Sequence, residues 1–321
     1  MFILGTEVQF LPRYQDMLGI SRTLPFRSFQ KVAGLTTFHV NTIAIGLELV
    51  AAGGVGPDAM HVKWIPPKNP REAVDQTKHF VLLALMAHVI DAFDGLLRDY
   101  ADLDWLDITP TVREILRKSV TKPGGKAWST HERVEQLLPR SHGDMDELIA
   151  FLDLAVGWRN ALVHSGRAEP RLSPQTIQKL TQSSQEIALR YANIDIRLAL
   201  NNFEAANWPT LKEATTMIAA TQNLARSIDR ALLVANASTT SQVELIARRE
   251  IGKGLAKFQG GWKRVWGRNA DARARVLMNL LSSAGVVESD ETISASLGES
   301  FVRDLACADR SMLDEIVSEA S

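Results

Sequence analysis

From residue 36 onward, apolar residues recur at three- and four-residue steps, and runs that alternate at a period of two between turns are scarce. A chain with that pattern hides its apolar surface by packing helical stripes against one another, so the fold class expected is all-α. Helices are predicted over 36–52, 70–101, 110–120, 130–138, 144–165, 174–205, 209–235, 241–266, 270–284 and 299–319. Thr109-Pro110, Ser173-Pro174 and Trp208-Pro209 put proline at the first helical position, where its missing N–H costs nothing. Asp144 with Glu147, and Ser241 with Glu244, have capping-box spacing. Gly53-Gly54, Pro66-Pro67 and Gly124-Gly125 are predicted to separate elements. Residues 1–35, with their Leu-Pro-Arg and Leu-Pro-Phe-Arg pieces, read as an irregular N-terminal arm. The expected division is that arm, a helical domain over 36–235, and a helical C-terminal region over 236–321.

Composition narrows the function classes. The 321 residues carry 36 basic and 37 acidic side chains, a net charge of −1, which excludes a uniformly basic nucleic-acid binder. Cys307 is the single cysteine, so neither a disulfide framework within the chain nor a thiolate-rich zinc site can form. The start lacks the basic segment of a signal peptide. The two most apolar stretches are interrupted, Thr36–Val55 by His39, Asn41 and Glu48, and Phe80–Leu97 by His88, Asp91 and Asp94. A soluble, cytoplasmic chain with no membrane segment is expected. Lys122-Pro123-Gly124-Gly125-Lys126 lacks the spacing of a phosphate loop, and His131-Glu132 lacks the second histidine of a zincin helix. No hydrolase nucleophile, Rossmann fingerprint or solenoid repeat is present, and no cofactor or metal is expected.

The segment Gly157-Trp158-Arg159-Asn160-Ala161-Leu162-Val163-His164-Ser165-Gly166 carries the strongest signal. Arg159 falls on the helix stripe of Leu148, Leu152, Ala155/Val156 and Leu162/Val163. A guanidinium placed there needs a carboxylate from another helix, a second subunit or a phosphate. Asn160 and His164 are neighbours at i,i+4 on the adjoining face, along with Gly157 and Asp153. With Gly166 as the stop, His164 sits in the last turn, where the helix dipole favours imidazolium.

Arg159, Asn160 and His164 resemble the R-x4–6-H motif of the HEPN superfamily, all-α domains that include many ribonucleases. A bare R-x4-H is expected by chance roughly 0.5 times in such a chain, and roughly 0.02 times with Asn after Arg. The resemblance implies an antiparallel helical bundle within 36–235 and a homodimer whose two motifs share one cleft. It implies RNA as substrate and metal-independent cleavage by the ribose 2′-OH. His164 would be the general acid/base, Arg159 would stabilise phosphorane charge, and Asn160 would orient the phosphate or the catalytic pair. A toxin or antiviral defence effector is implied, held or triggered by an antitoxin or an activating protein. Asp91 or Asp94, with His88 beside them, would supply the polar residue such domains carry on an earlier helix. Read from residues alone, the alternatives stay open: a surface arginine with a helix-capping histidine, and an intrahelical His88–Asp91 and Asp94–Arg98 ladder.

Residues 247–275 hold nine basic residues against two acidic ones, a net charge of +7. If the helix survives Gly260-Gly261, then Arg249, Lys253, Lys257, Arg264, Arg268 and Arg275 form one basic stripe suited to RNA phosphates. Trp262 and Trp266 extend the apolar row of Ile251, Leu255 and Phe258, so core packing is the better reading for them than base stacking. Residues 286–321 hold nine acids against two bases, a net charge of −7. That tail is expected to dock on the stripe, within the chain or across a dimer, and screen it, so that deleting 286–321 would raise RNA affinity or activity. The function expected is a metal-independent HEPN-type endoribonuclease. The alternative is a non-catalytic helical dimerisation or adaptor protein of a defence or toxin–antitoxin complex.

Overall fold

A computed structural model describes residues 18–52, 68–138, 145–163, 171–258, 263, 266, 269–288, 293–298 and 300–319. The elements run β1 (Leu18–Ile20), α1 (Leu24–Ala51), α2 (Pro70–Ala101), α3 (Pro110–Arg117), α4 (Thr130–Leu137), α5 (Asp146–Val163), α6 (Pro174–Gln182), α7 (Ser184–Arg190), α8 (Ile196–Glu204), α9 (Leu211–Asn236), α10 (Thr240–Ala256), α11 (Ala270–Ser283), β2 (Val286–Glu288), α12 (Phe301–Cys307) and α13 (Arg310–Glu319). The fold is all-α apart from the β1–β2 pair among the described residues.

Side-chain caps set most helix starts. Thr109 and Ser173 accept the N–H of Val112 and Thr176, with Pro110 and Pro174 just inside, as expected. Asn69 does the same before Pro70. Two starts differ from expectation. Pro209 stands outside α9, because Thr210 and Glu213 form the reciprocal cap instead. α10 is capped by Thr239 with Gln242, two residues ahead of Ser241 and Glu244.

Four longer corrections concern continuity. Residues 24–35 belong to α1, because Pro25 suits a first helical turn and Phe26 and Phe29 then fall on its buried face. The helix expected over 174–205 is three helices. Ser183 separates α6 from α7, and Ala192 and Asn193, at φ 51° and 58°, end α7. The helix expected over 299–319 breaks at Ala308, which is extended, so that Phe301, Leu305, Leu313 and Ile316 all reach one core. α10 ends at Ala256, so Lys257 caps it and Arg275 belongs to a different helix. The continuous six-residue basic stripe therefore does not form; the glycine pair that follows disfavours helix by about 1 kcal/mol per residue. Arg264, Arg268 and Trp262 lie outside the described residues, as does the predicted cap at Asp144.

The chain divides into two compact units. The terminal unit comprises Met1–Leu24, Asp104–Asp107 and Asp229–Ser321, and the motif unit comprises Pro25–Leu103 and Ile108–Ile228. In the terminal unit β1 pairs antiparallel with β2, Ile20 opposite Val286 and Leu18 opposite Glu288. Leu18, Ile20 and Val286 enter a core with Leu233, Val243, Ile251, Leu277 and Leu313. Trp266 joins that core too. The tail docks within the chain chiefly through apolar side chains of α12 and α13, with basic-block side chains at its margin. Lys263–Asp314, at 3.4 Å, links the basic block to the tail, whereas Lys253 is held by Asp104 and Glu250 at 2.7 and 3.2 Å. Deleting 286–321 would strip β2, α12 and α13 from a core, so the tail is scaffold before it is a screen.

In the motif unit α5 packs against α2, α4 and α6. Phe93, Leu97, Tyr100, Leu116, Leu152 and Trp158 are all buried there. By length and composition both α1 and α2 could cross a membrane, so the polar interruptions do not by themselves exclude a span. α2 spends its apolar residues as a core helix, burying Leu82, Met86, Ile90 and Phe93. α1 leaves most of its apolar window exposed.

Candidate functional site

The site grows from the helix that carries Arg159. Gly157 lies where an added Cβ would stand 3.1 Å from the ring of Phe203 on α8 and 3.4 Å from Leu172, so a side chain here would crowd the Phe203 ring. Trp158 is buried, meets Phe203 edge-on at 5.8 Å, and donates its Nε1–H to the carbonyl of Asn207 at 2.9 Å. These two residues fix the rotation of α5 immediately before the motif arginine. A cleft of about 540 Å3 opens beside them, lined by Arg171, Leu172, Ile177, Phe203, Glu204, Ala205 and Ala206.

Arg159 is half-buried, and its partner is the first kind expected, a carboxylate from another helix. One guanidinium nitrogen lies 3.0 Å from Asp91 on α2, and the other donates to Asn160 Oδ1 at 3.0 Å. Its Nε is buried and finds no hydrogen-bond partner among the described residues. Asp91, Arg159 and Asn160 are thus together, with Asp91 and Asn160 exposed. His88 is exposed and shows no bond to Asp91 among the described residues, so the His88–Asp91 rung of the ladder is missing. The Asp94–Arg98 rung is present at 3.6 Å. His164 lies outside the described residues.

Asp94 does not face Arg159 as the alternative to Asp91 would require. It is the buried hub of a second cluster, paired with Arg98, with Lys118 at 2.8 Å, and with Arg133 of α4. Arg133 has no exposed side-chain surface and also donates to the Leu116 carbonyl at 3.0 Å. Burial pulls its guanidinium down to about 10, which leaves it charged at neutral pH. Around two carboxylates, Asp91 and Asp94, stand four cations: Arg98, Lys118, Arg133 and Arg159. Lys118 and Arg133 carry no sequence signal of this role, since neither belongs to a motif.

Lys118 is unusual in its backbone. It closes α3 in a Schellman turn, with Ser119 N–H bonded to the Glu114 carbonyl and its own N–H to that of Ile115, at φ 60°. That position normally takes glycine, and a residue with a Cβ there costs about 1 kcal/mol. The residue is retained where its ammonium meets Asp94.

A third group was passed over in sequence because His131 fits no metal motif. Its Nδ1 lies 2.6 Å from Asp153 on α5 and its Nε2 lies 2.9 Å from Glu135. Asp153 also accepts from Thr176 Oγ1 at 2.9 Å. Asp153 above all, with Glu135, holds the imidazole protonated and raises it to about 9, against a smaller opposing push from burial. The usable signal was the Ser129–Glu132 capping box, which starts α4 and puts Glu135 one turn after His131. His131 and Arg133, two residues apart, point to different sides of α4 and grip α5 and α2 respectively.

Among the described residues no three His, Cys, Asp or Glu side chains form a metal-binding group. Comparison with known proteins finds no matching family, no matching curated protein and no matching solved structure.

Proposed function

We propose that the chain is a HEPN-type endoribonuclease that cuts RNA by attack of the ribose 2′-OH on the adjacent phosphate, without a metal or cofactor. The observation that carries this reading is the Asp91–Arg159–Asn160 constellation, in which an acid on an earlier helix orients the motif arginine and its neighbour. A guanidinium anchored on one edge by Asp91 can meet the charge that grows on phosphorus during attack. His164, one helical turn after Asn160 in sequence, supplies the proton acceptor and donor. The surplus of cations around the two carboxylates suits a polyanionic substrate. The same reading makes the protein a cytoplasmic toxin or defence effector that works as a homodimer, restrained or triggered by another protein.

Arg159→Ala and His164→Ala should each abolish cleavage of RNA in buffer containing EDTA while circular dichroism keeps its helical signal. Cleavage that survives in both folded variants overturns the assignment.

A further inference from the structure

We propose that Arg98 and Lys118, together with Arg159, form a rim that holds successive phosphates of an RNA strand against the motif. The proposal rests on the nuclease reading above and extends it to two residues outside the motif.

The charges of the cluster do not balance. Asp91 is met by Arg159, and Asp94 by Arg133, whose side chain is wholly buried and cannot swing away. Each acid therefore already has an arginine from another helix. Arg98 and Lys118 remain, half-exposed, both ion-paired to the same Asp94 carboxylate, with Asp99 in charge range of Arg98 and Asp91 in charge range of Lys118. Arg98, Lys118, Arg133 and Arg159 outnumber the two carboxylates they are paired with, and the half-exposed Arg98 and Lys118 reach solvent, where phosphodiesters of a strand can meet them.

Burial above all, then the nearby Arg98 and Arg159, pushes the Lys118 ammonium toward the neutral form, against a weaker pull from Asp91. Lys118 is kept there by a left-handed backbone that a glycine would adopt without strain. Of the four non-glycine residues at positive φ among the described residues, Lys118 alone carries a charge. Residues held in strained conformations gather where a ligand is bound. Arg98 lies on α2, Lys118 caps the end of α3 and Arg159 lies on α5, so the rim is drawn from three elements.

The test is binding of a fluorescein-labelled, 2′-O-methylated oligouridine, which cannot be cleaved through its 2′-oxygen, to the full chain across a salt titration. Lys118→Gly and Arg98→Gln should each weaken binding several-fold and each remove about 0.7 from the slope of log affinity against log salt. Lys118→Arg should keep both. Lys118→Gly relieves the left-handed strain, so its Tm stays level or rises, which separates lost contacts from lost folding. Unchanged affinity and slope in both variants, beside a wild type that binds and cleaves, overturns the rim alone. Weakened binding in the variants of a chain that never cuts unmodified RNA keeps the rim and overturns the nuclease reading. A wild type that does not bind overturns both.

Discussion

His131 sits between two carboxylates that reach it from opposite ring edges, and both ring nitrogens can donate only when the imidazole is charged. Its folded value of about 9 lies above the unfolded value near 6.5. The contribution to stability is thus complete below pH 6.5 and is lost as pH rises through 9. The size is at most about 3 kcal/mol, because the ring is partly exposed and shares its charge with solvent. Tm measured from pH 6 to 9.5 should fall for the wild type and stay flatter for His131→Gln. Parallel curves would mean that the imidazolium contributes nothing. Because Asp153 lies on the motif helix, the same titration should loosen α4 from α5. Arg159 is legible from sequence because helical spacing puts it on an apolar stripe, whereas Asp91 is offered only by the resemblance, and only as an alternative to Asp94. Arg133 and Lys118 are not legible, since a buried arginine and a left-handed lysine are decided by tertiary packing that leaves no local pattern.

At the scale of the element, α5 is registered by what touches it rather than by its own propensity. Replacing Gly157 by alanine gains about 1 kcal/mol of helix propensity. It also drives a Cβ to 3.1 Å from Phe203, which is buried and cannot retreat freely. Overpacking of that kind costs about 1–3 kcal/mol, so Gly157→Ala should destabilise by about 1 kcal/mol net. In a Phe203→Leu background the clash is gone, and the same substitution should become stabilising. Denaturant unfolding of the four chains of this cycle measures the coupling, and additivity would show that Phe203 does not constrain Gly157. Helix identity was the legible part of this fold, because capping and proline signals are local. Helix interruption was less so. Ala192 and Ala308 break predicted helices although alanine is the best helix former, and each break turns the flanking apolar faces onto one core.

For the whole molecule, the least legible feature is the pairing of β1 with β2. Their three-residue strands show no alternation and are joined by almost the entire chain; burial of Leu18, Ile20 and Val286 stabilises them. The most consequential feature is α1. Its exposed face carries Leu35, Phe38, Thr42, Ile45 and Leu49 at alternating steps of three and four, while Thr36 and Val40 are buried opposite. Phe38, Ile45 and Leu49 are 64, 65 and 63 % exposed. That spacing is a heptad seam whose apolar side chains no helix covers among the described residues. Between residues 32 and 47 the chain has no lysine, arginine, aspartate or glutamate. Two copies of the seam could meet about a twofold axis with no like charges opposed. A seam for an anionic membrane surface would carry lysine or arginine along its flanks, and this one has none there. The occupant argued for is a second copy of this chain, as the nuclease reading requires for a shared cleft. Light scattering behind size exclusion should give twice the chain mass for the wild type. Phe38→Glu with Ile45→Glu should give the mass of one chain, with helical signal and Tm little changed because both side chains are exposed. A double variant that keeps the dimer mass places the dimer contact elsewhere. A wild type with the mass of one chain removes the shared cleft, and with it the homodimer that the nuclease reading includes.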